Sequence, residues 1–98
     1  MEEVERQELI EIDVSKVESP RELHLLLKNA LEFPDFYGCN WNAFWDAITG
    51  LVQMPKRLRL QGWQVLMIRF PAEAKLLREC LDDSLSNYPQ WSAIVEYT

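Results

Sequence analysis

The sequence predicts an α/β fold in which a small, three-stranded, largely parallel sheet packs against three to four helices. Short strand-like stretches occur at three places, the first two with alternating apolar and polar residues, and longer stretches with helical periodicity separate them. Strands separated by helices are joined by crossover connections, which make neighbouring strands parallel. The chain has 98 residues, and 48% of them are hydrophobic, so we expect one folded domain over residues 1–98.

The first strand is predicted over residues 8–14, where apolar and acidic side chains alternate. A helix start follows, with Ser19 placed to cap, Pro20 at the first helical position and Glu22 three residues after the cap. The helix ends before or near Pro34. Its apolar stripe consists of Leu23, Leu26, Leu27, Ala30 and Leu31.

A turn over residues 35–40 leads into a second helix. Gly38 supplies backbone freedom in this turn, and Asn40 is placed to cap a helix over residues 41–50. Gly50 stands where helices commonly end.

The second half of the chain contains the other two strands. Pro55 precedes a predicted strand at residues 56–61. Residues 62–70 leave three interpretations open: a strand, a short helix or an irregular segment. Pro71 fits the start of a helix that reaches about Ser86, and a turn then leads to a final strand over residues 92–97.

The net charge of −6 is concentrated in the first half of the chain. Residues 1–46 carry eleven acids and four bases, whereas residues 47–98 carry five acids and six bases. A negative surface repels nucleic acid and attracts basic partners, although solubility alone also explains such a charge.

The start of the chain and its cysteines predict a cytoplasmic location. The segment MEEVERQEL is acidic where a signal peptide would be basic, and no apolar run reaches the roughly 20 residues that cross a bilayer. The chain has only two cysteines, Cys39 and Cys80, and they are far apart, as expected for buried or partly buried thiols in a reducing compartment. The sequence leaves open whether they form a disulfide.

The sequence gives no pattern for catalysis, a metal or a cofactor. Cys39 could be a nucleophile only with a base nearby, and His24, the single histidine, is predicted on a helix surface. Glu79 and Asp83 could act as paired carboxylates in a small enzyme, but a solvated helix face is the simpler interpretation. The bases Arg57 and Arg59 are too few for a nucleic-acid patch.

The helix at 41–50 is unusually aromatic. On a helical wheel one arc holds the large apolar side chains, so we expect Phe44 and Ile48 to point inward. At least one of Trp41 and Trp45 should lie partly at the surface beside Asp46. The alternative is an ordinary core helix with one solvent-exposed face. The opposite arc holds Asn42, Asp46 and Thr49.

The stretch YGCNWNAFWDAITG, preceded by PDF, resembles the barstar family of small bacterial inhibitors of secreted ribonucleases. The resemblance follows nearly the whole chain in order, and it is weak at residues 62–70 and 84–91. It implies a protein without an activity of its own, which blocks the active-site cleft of a basic nuclease one to one with an acidic and aromatic loop and helix.

Carried over by position, the resemblance assigns Asp46 as the carboxylate that mimics a substrate phosphate. It implies that Phe36 stacks at the cleft, that Gly38 and Asn40 shape the loop, and that Trp41 and Trp45 make contacts. Position 42 is asparagine where the family can have a second acid. The implied partner-binding residues are Phe36, Gly38, Asn40, Trp41, Asn42, Trp45, Asp46 and the peripheral acid Glu79, which Asp83 could support.

Two other partners stay open beside a ribonuclease. The chain could be an immunity protein against a toxin that is not a ribonuclease, or a regulatory domain that binds another basic protein. Neither a cofactor nor direct contact with nucleic acid or membrane is expected in any of these cases.

Overall fold

A computed structural model describes residues 6–98. The first five residues, and with them part of the acidic N-terminal segment considered above, lie outside the described residues. The order of elements agrees with the predicted α/β class. The elements are β1 (Leu9–Asp13), α1 (Pro20–Leu31), α2 (Trp41–Asp46), β2 (Arg57–Gln61), α3 (Trp63–Arg69), α4 (Pro71–Asn87) and β3 (Ile94–Tyr97).

The three strands form one parallel sheet in the order β1-β2-β3. Leu60 on the central strand pairs with Ile12 on one side and with Tyr97 on the other. Ile12, Leu58 and Leu60 are buried, because this face of the sheet meets the helical layer. The prediction of a small parallel sheet with three to four helices is therefore confirmed.

The opposite face of the sheet carries a row of ion pairs. The Arg59 guanidinium donates to Glu11 at 2.7 Å and to Glu96 at 2.9 Å, and Arg57 also donates to Glu96. The hydrogen bonds from Arg57 and Arg59 lower the pKa of the Glu96 carboxyl. These two arginines are thus paired with acids of the neighbouring strands.

The caps of α1 and α2 are formed by the side chains that the sequence indicated. Ser19 Oγ accepts the backbone N–H of Glu22 at 3.1 Å, and Asn40 Oδ1 accepts that of Ala43 at 2.7 Å. Helix α1 ends at Leu31, since Glu32 takes a left-handed conformation with φ 58°.

The predicted helix at 41–50 has two parts. It is α-helical only over Trp41–Asp46 and continues as a wider π-helical turn over Ala47–Leu51. The backbone N–H of Val52 bonds to the carbonyl of Ala47 at 3.1 Å, five residues back, which closes this turn. A single uniform helix ending at Gly50 was therefore the wrong prediction.

The segment left open at 62–70 is mainly the short helix α3. Gly62 precedes it with φ 73°, a conformation that lets the chain turn sharply at the end of β2. Helices α3 and α4 together form the crossover from β2 to the parallel strand β3. Among residues 6–98 no helix is both long and apolar enough to cross a membrane.

Candidate protein-binding site

The loop before α2 is shaped by Cys39 and Asn40. Cys39 has φ 52°, so the left-handed residue of this loop is Cys39 and not Gly38, where the sequence predicted backbone freedom. Gly38 instead permits a close approach, because a Cβ at this position would lie 3.1 Å from Asn40 Nδ2. The same amide donates to the Gly38 carbonyl at 3.2 Å, so Asn40 fixes both the loop and the start of α2.

One side of α2 is packed into the core as predicted. Phe44 and Ile48 are buried, while Trp41 and Trp45 are both partly exposed. The indole N–H of Trp41 donates to the Glu73 carboxylate on α4 at 2.6 Å. This bond, together with the burial of Phe44, fixes the orientation of α2 on the rest of the molecule.

The other side of α2 faces solvent. Asn42 and Asp46 are exposed and lie one helical turn apart. Within residues 6–98 the Asp46 carboxylate makes no hydrogen bond or ion pair. Phe36, on the preceding loop, is 75% exposed. The surface therefore presents an available carboxylate, an amide and a large ring.

Beneath the loop lies His24, which the sequence wrongly placed on a helix surface. It is 3% exposed, its Nδ1 lies 2.6 Å from the Tyr37 hydroxyl, and its ring centroid lies 4.3 Å from that of Trp41. Burial lowers the pKa of His24, partly offset by the charge of Glu73, and raises the pKa of Tyr37. A histidine so placed supports the loop and the start of α2 from inside.

The remaining predicted residue, Glu79, lies exposed on α4. Helix α4 and the residue that follows it pack against α2 through other side chains. Cys80 Sγ lies 4.0 Å from the Trp41 carbonyl, and the ring centroids of Trp45 and Tyr88 are 6.4 Å apart. No hydrogen bond or ion pair joins Glu79 to the exposed side of α2 in the described part of the chain. Glu79 thus stays a peripheral candidate.

The alternative chemical sites gain no support from the geometry. Cys39 and Cys80 are both free and partly buried, and burial raises the pKa of the Cys80 thiol, which makes that group a poorer nucleophile. Asp83 lies exposed on α4, like Glu79. Across residues 6–98 no three His, Cys, Asp or Glu side chains are grouped so as to hold a metal ion.

Sequence reasoning missed Glu73, which is the hydrogen-bond partner of Trp41. An acid in the first turn of a helix is common, and it suggests an interaction with the helix dipole. Nothing local connects this acid with an indole 32 residues earlier in the chain.

Comparison with known proteins agrees with this arrangement. The sequence model of the barstar family, described as barnase inhibitor, matches residues 7–93. A protein of Bacillus subtilis (strain 168), named "Putative ribonuclease inhibitor YrdF", is 44% identical over 53 residues. That alignment covers 54% of this chain and 58% of the relative, so the chain spans somewhat more than half of the relative's length. With a family match over residues 7–93, a parallel three-stranded sheet and the exposed α2 surface, the chain belongs to the barstar family.

Proposed function

We propose that this chain is an inhibitor that binds a basic ribonuclease one to one and blocks its active-site cleft. The Asp46 carboxylate carries the proposal, because it is exposed and has no partner within residues 6–98. A cleft that binds RNA phosphates contains cations whose desolvation is costly. A carboxylate fixed among those cations offsets this cost through charge-assisted hydrogen bonds.

The fixed position of Asp46 makes this role physically reasonable. It lies at the end of α2, which Phe44 anchors in the core and Trp41 ties to Glu73. A carboxylate on an anchored helix loses little conformational freedom on binding, which favours affinity. Phe36 would supply an exposed ring for the cleft, and Trp45 would contribute its exposed part.

The amide at position 42 sets this chain's surface apart from one with two acids on the same helix. Asn42 can donate and accept hydrogen bonds but adds no charge to the Asp46 side of α2. We therefore expect Asp46 to dominate the electrostatic part of binding, with Glu79 contributing at the periphery.

The charge distribution supports a basic partner rather than direct binding of nucleic acid. The net charge is −6, and the two arginines of β2 are paired with acids on the neighbouring strands. We further propose that the 98 residues act as one domain in the cytoplasm, where the inhibitor would protect the cell that makes the nuclease.

The direct test titrates purified chain into barnase while RNA hydrolysis is measured. We expect activity to fall to zero at a one-to-one ratio, and no hydrolysis of RNA by the chain alone. We also expect the association rate to fall steeply as salt is added, because screening weakens attraction between exposed charges. Undiminished barnase activity at excess chain would contradict the proposal, and a salt-insensitive association rate would contradict its electrostatic part.

A further inference from the structure

A cation near the N-terminus holds together two distant loops beside α2. The Arg6 guanidinium donates to the carbonyl oxygens of Met54 at 2.8 Å, Pro55 at 2.8 Å, Gln90 at 3.0 Å and Ser92 at 3.1 Å. It therefore ties the segment that precedes β2 to the loop that joins α4 to β3. Such multiple bonds to one rigid guanidinium restrict the motion of both segments.

The α4–β3 loop is also fixed from its other side. The Ser92 hydroxyl lies 2.6 Å from that of Ser84 and donates to the Ser84 carbonyl at 2.7 Å, both buried. The backbone N–H of Trp91 bonds to the Tyr88 carbonyl at 3.0 Å. Trp91 is nevertheless 66% exposed, so a rigid loop presents a large indole to solvent. Pre-ordered exposed aromatics of this kind suit a binding contact, since little entropy is lost on association.

Trp91 borders a surface pocket of about 340 Å³. The opposite wall is the π-helical turn that follows Asp46, together with the segment after it. Ile48 and Met54 are buried beneath the pocket, whereas Leu51 is half-exposed at its side. The walls are formed chiefly by Trp91, Leu51, Val52, Ile48, Met54 and Arg6.

The pocket continues the candidate binding site along the surface. Thr49 and Gly50 line the pocket, and they follow Asp46 by three and four residues on the turn that extends α2. The ring centroid of Trp45 lies 6.4 Å from that of Tyr88, the residue whose carbonyl accepts the backbone N–H of Trp91. We therefore expect a partner that covers Asp46 and the turn after it to extend to Trp91.

The chemistry of the pocket restricts what can enter it. Within residues 6–98 Arg6 bonds only to neutral carbonyl groups and has no carboxylate partner, so its charge disfavours a second cation. Leu51, Val52 and Trp91 offer apolar contact. We propose that Trp91 and Leu51 receive an uncharged aliphatic or aromatic side chain of the same basic ribonuclease that Asp46 binds, an inference that rests on the proposed function.

The test measures the dissociation constant and dissociation rate of the barnase complex for the wild-type chain and four variants, Asp46→Ala among them. Trp91→Ala should weaken binding roughly 10- to 100-fold, mainly through faster dissociation. Trp91→Phe should stay much closer to wild type, because it keeps a ring in place. Ile68→Ala is the matched control: Ile68 is 79% exposed but lies on α3, so we expect no change.

Salt separates this contact from the electrostatic one. The loss caused by Trp91→Ala should persist at high salt, whereas the loss caused by Asp46→Ala should shrink, since only the latter removes a charge. Thermal unfolding of Trp91→Ala should match wild type, because the side chain is largely exposed.

The results for the variants and for the wild-type chain distinguish the Trp91 contact from the proposed function. If Asp46→Ala weakens binding but Trp91→Ala matches Ile68→Ala, the Trp91 contact is overturned while the proposed function stands. If the wild-type chain does not bind barnase at all, the proposed function and the Trp91 contact fall together.

Discussion

Nδ1 of His24 lies 2.6 Å from the hydroxyl oxygen of Tyr37 in the interior, and this contact joins α1 to the loop that precedes α2. The same imidazole ring contacts Trp41 at the start of α2. The exposed side of α2 is therefore supported by a buried titratable group. A change in the protonation of His24 therefore alters its contacts with Tyr37 and Trp41, which lie on either side of the segment 38–40.

The histidine predicts how stability depends on pH. Its pKa is lowered from 6.5 in the folded protein, chiefly by burial, and the charge of Glu73 opposes this only partly. The unfolded chain therefore binds a proton at His24 at a higher pH than the folded one. The contribution of neutral His24 to the free energy of unfolding is fully present above about pH 6.5. The free energy of unfolding should fall as the pH drops from 6.5 through the lower pKa that His24 has in the folded protein.

Urea unfolding of wild type and His24→Gln at a series of pH values checks this. Carboxylates titrate in both proteins, so the informative quantity is the difference between the two curves. We expect wild type to lose more stability than His24→Gln as the pH falls below 6.5. Curves that stay parallel would show that His24 is not the group responsible.

Asn40 has a structural role that can be separated from any partner contact. Its Oδ1 accepts the N–H of Ala43, so Asn40→Ala should lower the free energy of unfolding by about 1 kcal/mol. Asn40→Asp keeps the capping oxygen and should retain most of that stability. Chemical unfolding of the three proteins gives the result, and equal stability of Asn40→Ala and wild type would contradict the capping role.

Two glycines should respond to alanine in opposite ways. Gly62 has φ 73°, and a Cβ there would lie 2.5 Å from Ser15 Cβ, whose hydroxyl is already bound to Asp13. Gly62→Ala should therefore cost roughly 2–4 kcal/mol from backbone strain and overlap. A Cβ at Gly50 meets nothing within 4 Å, so Gly50→Ala should range from neutral to a gain of about 1 kcal/mol. Thermal or urea unfolding of both variants compares them directly, and similar losses would contradict this reasoning.

Features set by neighbouring residues were predictable from the sequence. The caps at Ser19 and Asn40, the burial of Phe44 and Ile48, and the alternation in β2 depend on spacings of two to four residues. The buried position of His24 was also within reach, since residues 24, 27 and 31 share helical spacing and the last two were already assigned to the core.

Features that join distant segments were not predictable. The bond from Trp41 to Glu73 crosses 32 residues, and the bonds from Arg6 reach carbonyl groups of Gln90 and Ser92, 84 and 86 residues away. The exposed Trp91 lies at the edge of a stretch where the family resemblance was weak. The order of its loop depends in part on the long-range bonds from Arg6, which no local pattern indicates.

The central statement is that the Asp46 carboxylate takes the place of an RNA phosphate in a cationic cleft, and the affinity of Asp46→Ala for barnase tests it most directly. The variant should fold like wild type, because Asp46 is exposed and its carboxylate has no partner within residues 6–98. We expect a loss of about 100-fold or more, since cations buried in the complex would be left unpaired. Asn42→Ala should lose far less, and Asp82→Ala, which removes an exposed acid paired with Arg78, should lose almost nothing. Affinity of Asp46→Ala equal to that of wild type, or equal losses for Asp46→Ala and Asn42→Ala, would contradict the account.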